Sequence, residues 1–135
     1  MSTILVAADA KWVRDQVKAG CLAPGQRVIE VTRGQDVRQA VKDSEPDVAV
    51  LDMQIANMGG VAVAIDLRLE AAAGRLPDVS ILLLLDREAD RFLAKRADAD
   101  AELVKPIDAS TLRRTIDRLV AARLGTTEGP ETQEG

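Results

Sequence analysis

Histidine and tyrosine are absent from this 135-residue chain, and cysteine, tryptophan and phenylalanine occur once each. Without histidine the chain has neither the commonest zinc ligand nor the commonest general base, so zinc sites and histidine-based triads are excluded. The single Cys21 cannot close an internal disulfide and is read as inert. One Trp and one Phe leave little to stack on bases, and no basic block is interleaved with aromatics, so direct nucleic-acid binding is not expected. Every apolar run is well short of the roughly 18 to 20 residues of a membrane span. The opening "MSTILVAADA" lacks a basic segment followed by a cleavable apolar one. The expectation is a cytoplasmic protein without a membrane anchor.

The formal net charge of -4 is unevenly placed, because the last eleven residues, "GTTEGPETQEG", carry three glutamates and no lysine or arginine. Residues 125–135 are therefore expected to form a disordered acidic tail, having no apolar anchor. The remaining body, residues 1–124, has about -1 net charge. Its length and its share of apolar residues suit one domain with one core.

Short apolar runs alternate with segments of helical period. "ILVAA" (Ile4 to Ala8) precedes "KWVRDQVKA", in which Trp12, Val13 and Val17 mark one helical face. "RVIEV" precedes "GQDVRQAVKDS", where Val37, Ala40 and Val41 repeat the i, i+3, i+4 spacing. "VAVL" (Val48 to Leu51) leads through a loop to a helix from about Gly60 to Ala72, and "SILLLL" (Ser80 to Leu85) leads to "DREADRFLAKRA". The short "ELV" (Glu102 to Val104) leads through Lys105 and Pro106 to "DASTLRRTIDRLVAARL", with Leu112, Ile116, Leu119 and Val120 on one stripe. Five strand–helix units in this order predict an α/β fold: a doubly wound five-stranded parallel sheet with helices on both faces.

Function in such a sheet gathers at the carboxyl ends of the strands, near the switch point. Asp9 closes the first strand, Asp52 closes the third, and Asp86 and Lys105 follow the fourth and fifth, so three carboxylates and a lysine are expected on one rim. Close carboxylates repel, and a cation among them relieves the repulsion. An all-oxygen site suits a hard ion such as Mg2+. A carboxylate poised beside Mg2+ and a lysine can attack a phosphoryl group, and the same cations neutralise the resulting aspartyl phosphate. That chemistry is the reading favoured for Asp52.

Taken in register, "ILVAAD", "AVLDMQIANMGG" and "LVKPID" resemble the receiver domains of two-component response regulators, over roughly Thr3 to Leu124. The resemblance implies Asp52 as phosphoacceptor and Lys105 as the phosphoryl-binding lysine. It also implies Asp9, Asp52 and the main-chain carbonyl of Gln54 as Mg2+ ligands. The partners it implies are a histidine kinase or phosphotransfer protein as donor, and a downstream protein or a homodimer through the fourth helix, fifth strand and fifth helix. The chain also departs from the family. An outer acid is replaced by Ala8, so metal binding is expected to be weak; the two coupled switch positions are also changed, the hydroxyl at the end of the fourth strand falling on Leu85 and the aromatic of the fifth strand on Glu102, while the loop proline falls on Ala56 and a usually small residue on Asp86. Two readings follow: an atypical stand-alone receiver in a phosphorelay, or a phosphorylation-independent pseudo-receiver serving as an interaction or dimerisation module. Neither is an enzyme in its own right, and a free-standing metal-dependent phosphohydrolase is the least favoured alternative.

Overall fold

A computed structural model describes residues 2–21 and 24–125. Its elements run β1 (Ser2–Ala7), α1 (Lys11–Gly20), β2 (Gln26–Val31), α2 (Val37–Ser44), β3 (Val48–Asp52), α3 (Gly60–Ala72), β4 (Ser80–Leu85), α4 (Arg91–Arg96), β5 (Ala101–Val104) and α5 (Ala109–Gly125). Single 3-10 turns over Gly34–Asp36 and Glu88–Asp90 precede α2 and α4. The five strands form one sheet of order β2-β1-β3-β4-β5, and every pairing is parallel. The doubly wound fold expected from the alternation of elements is therefore the fold found. The expected acidic tail lies outside the described residues except for Gly125, which closes α5.

Two apolar layers sandwich the sheet, and strand alternation decides which residue enters which layer. Leu5, Ala49, Leu51, Leu83 and Leu85 pack with Val37 and Val41 of α2, Val63 and Leu67 of α3, and Ala94 near α4's centre. Ile4, Val6, Val48, Val50, Leu82 and Leu84 face the other way, onto Val13 and Val17 of α1 and Leu112, Ile116 and Leu119 of α5. β3 is buried along its whole length, as a central parallel strand covered on both faces must be. Burial is not continuous at the edges. In β2, Arg27 and Glu30 are exposed, and β5 is only half-buried, because an edge strand has one neighbour and needs less apolar surface.

The chain winds outward from β1, first to β2 and then across to β3. The crevice beyond the ends of β1 and β3 is the switch point, where a parallel sheet offers a site. Residues 9 and 52 stand on either side of it.

Candidate functional site

Asp52 ends β3 and is only 1% exposed. A central strand that runs to the sheet's rim leaves its last side chain covered by the loops around it. The loop to α3 turns on Asn57, whose φ of 73° is a left-handed conformation that asparagine tolerates. Ala56 bridges Arg33, and its carbonyl accepts the Gly34 N–H at 2.9 Å, which ties this loop to the one after β2. The chain then folds back so tightly that a Cβ on Gly60 would collide with the Asp52 carbonyl. The "NMGG" stretch thus has a local physical reason: it lets a helix start against the strand end.

Lys105 follows β5. Its N–H donates to the Leu85 carbonyl at 2.8 Å, which continues the β4–β5 ladder by one rung, and its peptide bond to Pro106 is cis. The ammonium makes ion-pair contact with Asp52 Oδ1 and lies 2.8 Å from Asp86 Oδ1. Asp86 Oδ2 accepts from Gln54 Nε2 at 2.9 Å. Trp12, at the start of α1 and 57% exposed, presents its ring to the ammonium with 5.9 Å to the centroid, a cation–π contact. Trp12 is thus half-packed at the rim itself and does not belong to the core stripe.

Burial pushes the Asp52 carboxyl above its ordinary pKa; Lys105 opposes this, while the negative charge of Asp86 adds to it. Asp86 is held below its ordinary value by its hydrogen bonds from Lys105 and Gln54. For Lys105, burial alone would favour the neutral amine, but hydrogen bonds to Asp52 and Asp86 outweigh it and hold the pKa up. The site is therefore a firmly charged Lys105–Asp86 pair beside a carboxylate whose charge is poorly accommodated. Among the described residues neither Asp52 oxygen makes a hydrogen bond of good geometry.

The rim differs from expectation at Asp9. Three carboxylates were expected to converge; among the described residues no group of three acidic side chains is placed to hold a metal ion. Asp9 lies two residues past β1 in a bend, exposed, and its carboxylate has no hydrogen bond or ion pair among the described residues. Nor does it cap α1, whose N-cap position is Ala10. Its backbone is nevertheless fixed: the Asp9 N–H donates to the Gln54 carbonyl at 3.1 Å, and Arg14 Nη1 donates to the carbonyls of Ala8 and Asp9, each at 2.9 Å. Ala8 itself is fully buried in the α1/α5 core layer. The donors still fit a hard cation in kind. Asp52 Oδ2 is buried without a partner, the Gln54 carbonyl keeps a second lone pair, and the Asp9 carboxylate is uncommitted.

Asp86 is the residue that the sequence reading left without a role. The register pairs Leu85 with Val104, so the residues that follow, Asp86 and Lys105, leave adjacent strand ends side by side. The sequence places both on one rim, and strand order adds that they are neighbours there. The two switch positions are also occupied. Leu85 is 0% exposed in the α2/α3/α4 core layer. Glu102 accepts from Arg91 at 2.8 Å, and Arg91 also holds Glu88 at 2.7 Å, so β5 and α4 are joined by charge. Cys21 is buried, with burial and then Asp117 pushing its thiol up to about 11, which agrees with an inert thiol.

Residues 4–117 match the family model described as the response regulator receiver domain. Protein PilH of Pseudomonas aeruginosa is 28% identical over 121 residues, which cover 90% of this chain and 99% of PilH. Response regulator protein PmrA of the same organism is 31% identical over 90% of this chain, but the match spans only 54% of PmrA. Among solved structures, the chemotaxis protein CheY4 of Vibrio cholerae superposes with TM-score 0.76 at 22% identity, covering 88% of this chain and 98% of CheY4. The receiver domain of sensor histidine kinase PA1611 from Pseudomonas aeruginosa superposes with TM-score 0.75 at 21% identity, over 89% of this chain and 98% of that one. That structure is described with a magnesium ion coordinated in its active site cleft. With the family model spanning nearly the whole described fold, the chain belongs to the response regulator receiver domains of two-component signalling.

Proposed function

We propose that this chain is an atypical receiver in which Asp52 accepts a phosphoryl group and Lys105 holds that group's oxygens. The observation that carries the reading is the buried Asp52 carboxylate, with an unpartnered Oδ2 and a lysine in contact with Oδ1. A carboxylate oxygen of Asp52 attacks the phosphorus of a phosphohistidine. As the new P–O bond forms, the P–N bond breaks, and the electron pair stays on the imidazole nitrogen, which takes a proton from solvent. Burial favours the step, because it poorly accommodates the free carboxylate and strengthens the pull of Lys105 on the transferred oxygens. Asp9, Asp52 and the Gln54 carbonyl would hold Mg2+, weakly because a methyl group stands at Ala8. When bound, the ion supplies further neutralisation of phosphoryl charge.

These 135 residues include no histidine, so the phosphohistidine donor is a histidine kinase or phosphotransfer protein, met in the cytoplasm. The chain is a switch component with no catalytic turnover of its own. Output passes by protein contact, to a downstream target or a second copy, through α4, β5 and α5, where Phe92 is 56% exposed. Mass spectrometry after incubation with a small phosphodonor and Mg2+ tests the acceptor: one adduct on Asp52 is expected, and none in Asp52→Asn. An adduct on Asp9 or Asp86, or one persisting in the Asn variant, would refute the reading.

Leu85 and the Glu102–Arg91 pair favour a second reading, an interaction module that works without phosphorylation. In that case the dissociation constant for the partner, or for a homodimer, changes less than about tenfold, roughly 1.4 kcal/mol, when beryllofluoride and Mg2+ are added. A larger change removes this reading.

A further inference from the structure

Lys105 is the cation in contact with Asp52, and it is shared. Its Nζ carries three N–H donors; one faces Asp52 and another meets Asp86 Oδ1 at 2.8 Å. Asp86 is in turn fixed from its other oxygen by Gln54 Nε2 at 2.9 Å. Gln54 belongs to the loop after β3 and Lys105 follows β5, so the Asp86 carboxylate, leaving the end of β4, links the two across the rim.

The usual structural role for an aspartate in this position does not account for it. The turn that starts α4 is made by Arg87 and Asp90: the Arg87 N–H donates to Asp90 Oδ2 at 3.1 Å, and the two side chains pair at 3.3 Å. Asp86 caps nothing, its side chain is 32% exposed, and its hydrogen bonds run only to rim residues. The contact therefore costs the rim something specific. An arriving phosphoryl group brings about -1.5 to -2 charges and oxygens that need donors. It meets a lysine already bound to two carboxylates, and a second fixed negative charge beside the one it is to join.

We infer that Asp86 is an internal competitor for Lys105, a carboxylate held by Gln54 where it occupies the phosphoryl-binding lysine, and that it sets how tightly the Asp52 site takes a tetrahedral anion. This rests on the reading of Asp52 as phosphoacceptor. Asp86 is a specificity determinant acting through Lys105. Removing its carboxylate frees one lysine donor and the Gln54 amide and removes the repulsive charge, so anion binding tightens.

The chain carries its own reporter. Trp12 is the sole tryptophan, no tyrosine is present, and its ring lies 5.9 Å from the Lys105 ammonium. Fluorescence of the full chain is followed as beryllofluoride is titrated at fixed Mg2+, in wild type, Asp86→Ala and Asp86→Asn, with Asp52→Asn as the non-binding control. The expected result is at least about tenfold tighter binding in Asp86→Ala, equal to roughly 1.4 kcal/mol. Asp86→Asn falls between, since its amide oxygen still accepts from Lys105 while its charge is gone; being of the same size, it also guards against loss of fold. Unchanged or weaker binding in both variants, with wild type binding, overturns the inference alone. A separate Mg2+ titration without beryllofluoride whose fluorescence response is lost in both variants would make Asp86 a metal ligand and overturn it as well. Failure of all three proteins to bind would remove Asp52 as acceptor, and the inference with it.

Discussion

Replacing Leu85 with threonine restores the side chain that the receiver resemblance leads one to expect, and the structure gives reasons for it to fail. Leu85 is fully buried and packs with Leu83, Ala94, Ala97 and Val104 in an apolar layer. Two costs can be separated. Shortening leucine to the size of valine removes about one methylene, about 0.8 kcal/mol of transfer free energy, and with the residual cavity about 1 kcal/mol or slightly more. Exchanging a methyl for a hydroxyl then buries a polar group without a partner, about 1–3 kcal/mol on protein scales. Leu85→Thr should therefore lose about 2–4 kcal/mol, and Leu85→Val about 1. For a domain of this size that difference lowers Tm by about 6–20 °C for the threonine variant.

Urea and thermal unfolding followed by far-ultraviolet circular dichroism measure both variants, and the gap between them isolates the hydroxyl. The same melts with beryllofluoride and Mg2+ ask whether an anion at Asp52 recovers the loss. A threonine variant as stable as the valine one would refute the reasoning, because the hydroxyl would then have a partner at the strand end. A beryllofluoride shift larger than that of the wild type by more than about 1 kcal/mol would do the same, since that much differential binding is what a hydroxyl drawn to the anion supplies.

Mg2+ should raise the Tm of the wild type by mass action, by about 1.4 kcal/mol at ten times the dissociation constant, and leave Asp9→Ala unmoved; equal shifts would remove Asp9 as a ligand. Asp52→Asn should be more stable than wild type near neutral pH. Burial raises the Asp52 pKa in the folded state above its ordinary value of 3.8, so Asp52 favours folding below that value and loses this contribution as pH rises through the folded pKa. Urea melts from pH 4 to 8 should show the variant's advantage growing with pH, and a variant weaker than wild type at pH 7 would reverse the sign of the argument. Lys105 keeps Asp86 as a partner in that variant, so no buried ammonium is stranded.

The sheet and its four crossovers were legible because the buried strands are runs of Val, Ile, Leu and Ala too short for a helix, and α1, α2 and α5 carry a helical period. Val48–Asp52, Ser80–Leu85 and Gly60–Ala72 fall within a residue of expectation. The segment "DREADRFLAKRA" reads as one helix but folds as a 3-10 turn and a six-residue helix, because the Asp90 side chain takes the Arg87 N–H and forces a tight start. At the site, Asp52 and Lys105 were legible as strand-end residues, and they meet. The exposure of Asp9 was not, since it depends on how the bend after β1 is pinned by Arg14 and Gln54. That Asp86 and Lys105 share a rim was legible, but their direct contact with Gln54 as third member was not, because it depends on which strands are neighbours.

Three departures at the rim share one physical consequence. In a receiver whose output depends on phosphorylation, the phosphoryl group must contact the two states of the switch differently, because a ligand moves an equilibrium only by its differential affinity. Here Lys105 is satisfied by Asp86, Leu85 by the apolar layer, and Glu102 by Arg91. Each group already has a partner before any phosphoryl group arrives. Of the three, two are bonds between charged groups and one is packing. The packed Leu85 offers an incoming oxygen nothing at all, and the Glu102–Arg91 pair is half-exposed and has no polar contact with Asp52. Only the Lys105–Asp86 contact lies where phosphoryl oxygens would compete for a partner. In the proposed phosphoacceptor reading, the exchange at Lys105 of a carboxylate for a phosphoryl oxygen is therefore the step with differential contact. That route uses neither the hydroxyl nor the aromatic whose places are taken.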